Sequence, residues 1–143
     1  MALEGRYFTW TLAAGEDLDD LRPSTGHLFR AVALDDGKIA QNGREAGGIL
    51  LYGGVKGEHV TLGYAGILKF AAGERIEAGR HLTVRAGGYF TQAHPDDWVV
   101  GRCLNTAVAS GAIGTGAFNF ASSWYWEDSN QDYGPAPEPA NPL

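Results

Sequence analysis

A single cysteine, Cys103, stands in the 143 residues, which excludes an internal disulfide and a cysteine-only metal cage and removes any need for an oxidising compartment. Flanked by Val99, Val100 and Leu104, it reads as a small core residue. No apolar run approaches the roughly eighteen residues of a membrane-spanning helix. The opening Met-Ala-Leu-Glu-Gly-Arg lacks an apolar stretch behind its positive charge, so no secretory leader and synthesis in the cytoplasm are expected. Asn-X-Ser/Thr acceptors are missing as well. Positive charge is scarce: 11 Lys and Arg face 17 Asp and Glu, for a net charge of −6. The pI near 5.1 gives no electrostatic reason to approach nucleic acid or anionic lipid, and neither is expected as a partner.

Glycine is what the chain has in excess, 21 residues, about twice the average share, yet 44% of positions are hydrophobic and 11% aromatic. That combination is glycine-rich without being low-complexity, and the length suits one domain with a real core. Charge is uneven. Residues 1–21 carry −4, residues 22–102 carry +2, and residues 103–143 carry −4 with no base at all. A neutral-to-basic body with two solvated acidic ends is the expectation.

Between Gly26 and Gly116 short β-branched or aromatic segments alternate with glycines, the pattern of consecutive antiparallel strands and tight turns. Strands are predicted near His27–Leu34, Lys38–Gln41, Gly48–Tyr52, His59–Leu62, Ala65–Phe70, His81–Arg85, Tyr89–Ala93, Trp98–Leu104 and Ala117–Ala121. Asp35-Asp36-Gly37 and Ala86-Gly87-Gly88 read as two-residue hairpin turns that need positive φ. Asp17–Leu21 is the one helical candidate, a single turn burying Leu18 and Leu21. Before it, Arg6–Leu12 alternates strictly, Phe8, Trp10 and Leu12 on one face and Tyr7, Thr9 and Thr11 on the other, as an extended arm or a first strand does. Four of the six prolines fall in Pro135–Pro142, which cannot pair in a sheet and is expected to be extended and polyproline-like. The resulting division is an arm or first strand over 1–13, a β-rich domain over 14–126 and an acidic, proline-rich tail over 127–143.

Few residues form constellations that carry chemistry. Ala93-His94-Pro95-Asp96-Asp97 matches, over five residues, the signature of zinc-dependent deacetylases of the N-acetylglucosaminyl type, which would make His94 and one aspartate zinc ligands and the other aspartate a base. That family takes a further histidine ligand from well downstream, and no histidine follows His94 here, so a turn capped by Asp96 or Asp97 explains the motif better. His27, His59, His81 and His94 have no metal-ligand spacing, and no metal or cofactor is expected. Gly111-Ala112-Ile113-Gly114-Thr115-Gly116 reads G-x-x-G-x-G with no helix behind it, hence a turn rather than a dinucleotide fingerprint. Cys103 has no evident base, and no Gly-x-Ser-x-Gly elbow is present, so no enzymatic activity is expected.

Trp124-Tyr125-Trp126, with Phe118 and Phe120 just before, gathers large rings near the end of the body. Alternation turns Phe118 and Phe120 inward, while Trp124, Tyr125 and Trp126, followed by acidic sequence, are open to a core or an interface role.

Taken in order, Ala14–Leu18, Phe29–Lys38, Gly47–Leu50, Lys56–Leu62, Tyr64–Lys69, Ala72–Gly79, Val99–Arg102 and Ala109–Gly111 form a sequence of glycine turns and aliphatic strands that resembles the capsid decoration proteins of tailed phages. The resemblance spans roughly residues 14–120 and lies in the order and spacing of the pieces. It implies an all-β fold, a small β-tulip or barrel-like domain of the lambda-type head proteins. It implies a homotrimer on the outer capsid surface, the major capsid protein as partner, and no catalysis. The mechanism implied is cementing of neighbouring subunits against internal DNA pressure. On this reading Arg6, Tyr7, Phe8, Thr9, Trp10 and Leu12 bind the capsid, adding a strand to a sheet edge, and Trp124, Tyr125 and Trp126 are interface aromatics. Two alternatives remain: a carbohydrate-binding β-module stacking a surface glycan on Trp124, Tyr125 and Trp126, and a zinc hydrolase at His94 and Asp97.

Overall fold

A computed structural model describes residues 6–21, 26–41, 45–107 and 109–127. The glycine-punctuated segments form β1 (Tyr7–Ala13), β2 (Ala31–Ala33), β3 (Ala46–Tyr52), β4 (His59–Ala71), β5 (His81–Val84), β6 (Phe90–Gln92), β7 (Trp98–Val99), β8 (Gly101–Asn105), β9 (Ile113–Asn119) and β10 (Trp124–Tyr125). No α-helix occurs among the described residues. Antiparallel pairing runs β2-β3-β4-β9-β8-β5-β6, with β1 added to β4. The sheet nearly closes on itself as a barrel. Phe90 of β6 makes a parallel bridge to Ala72, just beyond β4, and the Gly73 N–H donates to the Phe90 carbonyl at 2.8 Å. β7 and β10 make a separate two-stranded ribbon.

The central stave is β4. Its first half pairs with β3 and with β1, and its second half, Ala65–Ala71, pairs with β9. Opposite β1 the register slips: Phe8 faces Ala65 and Thr9 faces Gly63, leaving Tyr64 as an extra residue. One extra residue exchanges the faces of a strand. Accordingly Val60 and Leu62 enter one apolar cluster, while Leu68 and Phe70, also even-numbered, enter the other. Gly66 sits in the same irregular stretch at φ +110, and a Cβ there would stand 2.3 Å from the Arg6 carbonyl oxygen, so glycine is what lets β1 lie this close.

The larger cluster fills the barrel. Phe70, Phe90 and Phe118 meet edge to face at 5.4–5.8 Å, and Phe120 stacks on Phe118 at 5.5 Å. Burying each such ring contributes about 1.5–3 kcal/mol, and the edge geometry adds about 0.5–1.5 kcal/mol per pair. The smaller cluster, Ala14, Leu18, Val32, Ile39, Leu50, Val60 and Leu62, lies on the other face of β3 and β4, and Trp10 and Leu12 of β1 cover it. Both faces of β3 are therefore buried: Ile49 and Leu51 point to one cluster and Leu50 to the other.

Several local expectations are corrected. Asp17–Leu21 is not helical: Leu18, fully buried, forms an antiparallel bridge with Gly54, their N–H and C=O groups exchanging bonds of 2.9 and 2.8 Å. The Gly111–Gly116 turn is a turn only at its start, for β9 begins at Ile113. Gly114 and Gly116 are strand positions kept bare by aromatic neighbours: a Cβ at Gly114 would meet the Phe70 ring at 2.6 Å, and one at Gly116 the Phe118 ring at 2.8 Å. The strand predicted from His27 begins only at Ala31, because Phe29 turns the chain at φ +64. Lys38–Gln41 contributes an isolated bridge, Val32 to Ile39, rather than a strand. His59–Leu62 and Ala65–Phe70 are one continuous strand. Ala86-Gly87-Gly88 does turn at positive φ, at 78° and 73° for the two glycines, but as a single turn of 3-10 helix between β5 and β6 rather than a two-residue loop. Gly37 is likewise at positive φ, in a longer turn closed by the Ala33 N–H donating to the Lys38 carbonyl. Residues 128–143, most of the predicted tail, lie outside the described residues.

Candidate interaction surfaces

The acidic run at the start of the domain, exposed at Asp17, Asp19 and Asp20 as a solvated end would be, also serves as a set of loop staples. Glu16 accepts the Ile39 N–H at 2.9 Å, Asp17 the Lys56 N–H at 2.9 Å, Asp19 the Leu21 N–H at 3.2 Å and Asp20 the Gly53 N–H at 3.3 Å. Each satisfies a backbone donor that the irregular chain leaves without a sheet partner. No sequence pattern announces this, because the donors lie up to 39 residues away.

The His94–Asp97 motif folds as a turn that ties the barrel to the ribbon. One Asp97 oxygen accepts both the His94 N–H and an Arg85 guanidinium N–H at 2.8 Å, so Asp97 caps the turn. Asp96, at φ +79, donates its N–H to the Trp126 carbonyl, while its side chain accepts the Tyr125 hydroxyl at 3.0 Å. Partial burial by itself raises Asp97, but the Arg85 hydrogen bond, the His94 N–H and the nearby positive charge outweigh it and hold the carboxyl below its ordinary value. The Asp96 acceptor raises the Tyr125 phenol. The two aspartates are thus engaged in structure, and among the described residues no three His, Cys, Asp or Glu side chains gather as a metal site. His27 takes the Asp19 N–H on its Nδ1 at 3.2 Å. Cys103 is fully buried, its thiol donating to the Asn105 carbonyl, and burial pushes its pKa up, the state of an inert core thiol.

Two exposed surfaces remain, one at each predicted interface. The first is β1. Its backbone pairs with β4 along one edge, and no described strand pairs with the other. Of the six residues singled out on the sequence, Trp10 and Leu12 turn onto the smaller cluster, and the Trp10 indole N–H donates to the Gly47 carbonyl at 3.1 Å. Arg6, Tyr7, Phe8 and Thr9 stay exposed; Phe8 is 66% exposed, its ring 6.4 Å from that of Tyr64 and tilted 39° to it. The free edge and the outward rings therefore coincide at the N-terminal half of the strand.

The second surface is the β7–β10 ribbon. Trp124 lies opposite Val99 and Tyr125 opposite Trp98, and the Trp98 and Tyr125 rings meet edge to face at 5.6 Å. Trp98, Trp124 and Tyr125 are all exposed. Trp124 and Trp126, 6.3 Å apart, both meet His81 edge-on, at 5.4 and 5.5 Å. Burial and the Arg102 charge lower the His81 pKa, so the imidazole beside the indoles is neutral at neutral pH. The sequence placed Trp124, Tyr125 and Trp126 here but gave no sign of Trp98 and His81, which come from distant strands. An open hollow of about 410 Å³ adjoins this surface, between Ile67, His81, Arg102 and Trp124.

No family model matches the chain, and no curated protein matches it in sequence. Among solved structures it is similar to the N base of the head fiber gp8.5 in bacteriophage phi29, with a TM-score of 0.58 and 18% identity, over 80% of this chain and 96% of that one. At that identity the likeness is one of fold.

Proposed function

We propose that this chain is a non-enzymatic structural protein of a phage head. It sits on the outer surface of the virion shell as a homotrimer, binds the major capsid protein, and cements neighbouring capsid subunits against the outward pressure of packaged DNA. The observation that carries this reading is the fold likeness to the base of a phage head fiber, which takes in nearly the whole of that chain. The order of glycine turns and strands, which resembles that of decoration proteins, points the same way. Because one fold hosts many functions, the surfaces supply the rest.

The free edge of β1 is suited to strand addition, in which backbone hydrogen bonds give affinity and side chains give register. Tyr7 and Phe8 are the side chains available for it; Trp10 and Leu12 are committed to the protein's own core. The ribbon aromatics offer a second contact, so that each protomer touches more than one neighbour. Several modest contacts held in one trimer then exceed any single one by multivalency, commonly by about 10²–10⁴-fold.

Co-sedimentation of the purified protein with expanded and unexpanded heads tests the reading. Saturable binding to expanded heads alone supports it, and no binding to either form refutes it. A glycan-binding module is the second reading, favoured by the exposure of Trp98, Trp124 and Tyr125. Against it, the ring planes cross at 63° for Trp98 and Tyr125 and 46° for Trp124 and Trp126, so they make no flat stacking platform. Retention of a monomer on glycan columns would favour that alternative.

A further inference from the structure

A cleft of about 340 Å³ opens between the start of β3, the end of β5 and the ribbon. Its apolar wall is Ala46, Val84 and Val100, all part of the barrel core. Trp98, 55% exposed, stands at its edge. The polar lining is unusual in kind. The single strong donor, the Arg85 guanidinium, is engaged by Asp97. What remains are the Glu45 carboxylate, the second carboxylate oxygen of Asp96, whose other oxygen accepts the Tyr125 hydroxyl, and the hydroxyls of Thr83 and Ser123. Thr83, only 3% exposed, lines the cleft as well. Glu45 has no side-chain partner among the described residues.

We infer that this cleft receives an arginine side chain presented by the protein's docking partner. A guanidinium carries five donors and no acceptor, the complement of a lining whose charged groups are three carboxylates and one already paired guanidinium. Three carboxylates against one guanidinium leave the lining with an excess of two negative charges. The apolar wall covers the aliphatic stem, and the indole face of Trp98 is the surface on which a guanidinium stacks. The Thr83 hydroxyl at the cleft wall adds one more oxygen able to accept from the guanidinium. A neutral sugar fits less well, because its hydroxyls need donors as much as acceptors. The chain's own C-terminal segment cannot fill the cleft in this way, since no Lys or Arg follows Arg102.

The inference rests on the reading of the chain as a docking protein, and its test separates the two. The full-length chain is titrated with N-acetyl-arginine methylamide, with the glutamine analogue as neutral control, following backbone amide NMR shifts and tryptophan fluorescence. Saturable shifts confined to residues 83–85 and 96–98 are expected with the arginine compound alone. Glu45→Gln should weaken that binding about fivefold. Trp98→Ala should weaken it about tenfold. Absence of saturable shifts, or equal binding of the neutral analogue, overturns the inference, and equal binding of a lysine analogue overturns the choice of guanidinium. In co-sedimentation, both variants should bind expanded heads less tightly than the parent. If the parent binds heads and both variants bind equally well, the cleft assignment is wrong while the head reading stands. If the arginine titration succeeds but no head is bound, the cleft assignment survives and the head reading does not.

Discussion

β1 and β9 are both seven residues long and both pair with β4, yet they do opposite work. β9 is held on both edges, by β4 and β8, and its bare positions Gly114 and Gly116 admit the Phe70 and Phe118 rings to the barrel axis. β1 is held on one edge only, pairs with β4 across a bulge at Tyr64, and leaves Tyr7 and Phe8 exposed. Barrel closure thus depends on a strand whose side chains are small where the core needs room. On the proposed reading, availability to a partner falls to the first half of a strand that turns Trp10 and Leu12 inward and leaves Tyr7 and Phe8 exposed. A protein that must be both a rigid block and an adhesive surface can divide those tasks between two neighbours of one stave.

The comparison breaks most directly in the barrel. Phe118→Ala removes the ring shared by Phe70, Phe90 and Phe120 and should cost about 3–5 kcal/mol, read by chemical denaturation. Gly66→Ala should act on the other strand. It forces a side chain into a positive-φ position against Arg6, at a cost of about 1–3 kcal/mol. Hydrogen exchange should then quicken along β1 while β9 stays protected, and uniform loss of protection would show that the two strands are not separable.

A smaller effect belongs to the turn joining barrel and ribbon. Asp97→Asn loses the charge-assisted bond from Arg85 and should cost about 1–2 kcal/mol at neutral pH. Because Asp97 is held below its ordinary value in the folded chain, its contribution is fully present above the unfolded pKa of about 3.9 and fades as pH falls through the lower folded value. The gap in melting temperature between parent and variant should therefore be flat from neutral pH to mildly acidic conditions and narrow only below. A gap that narrows near pH 6 would point to another group. The smallest effect on stability is expected at Phe8→Ser, within about 0.5 kcal/mol, since the ring is already in water. The same change should lower head binding measurably, and unaltered binding would remove β1 from the interface.

Much of the fold was legible because glycine and alternation carry local information: the all-β class, the turns at Gly37 and Gly87-Gly88, the inward Phe118 and Phe120 and the buried Cys103 all follow from residues near one another. What was illegible depends on distant partners. Leu18 and Leu21 have helical spacing, but Gly54 and the N–H groups of Ile39, Lys56 and Gly53 draw that segment into an extended path. Glycines inside a strand look the same as glycines in a turn until the ring that needs the space is known, which is why β9 was read two ways. The strands expected over His59–Leu62 and Ala65–Phe70 left a break at Gly63-Tyr64, where the chain instead changes faces without leaving the sheet. The candidate surfaces divide similarly. Tyr7, Phe8, Trp124, Tyr125 and Trp126 stood out by type. The inward turn of Trp10 and Leu12, the position of His81 beside two indoles, and the Trp98 cleft required the third dimension.

Cementing is tested most directly on heads that lack the protein, challenged by heating or osmotic shock with and without purified protein added back. The account predicts that bare heads release their DNA under milder conditions and that saturating addition restores resistance. Bare and replenished heads that burst at the same temperature and the same shock would contradict it.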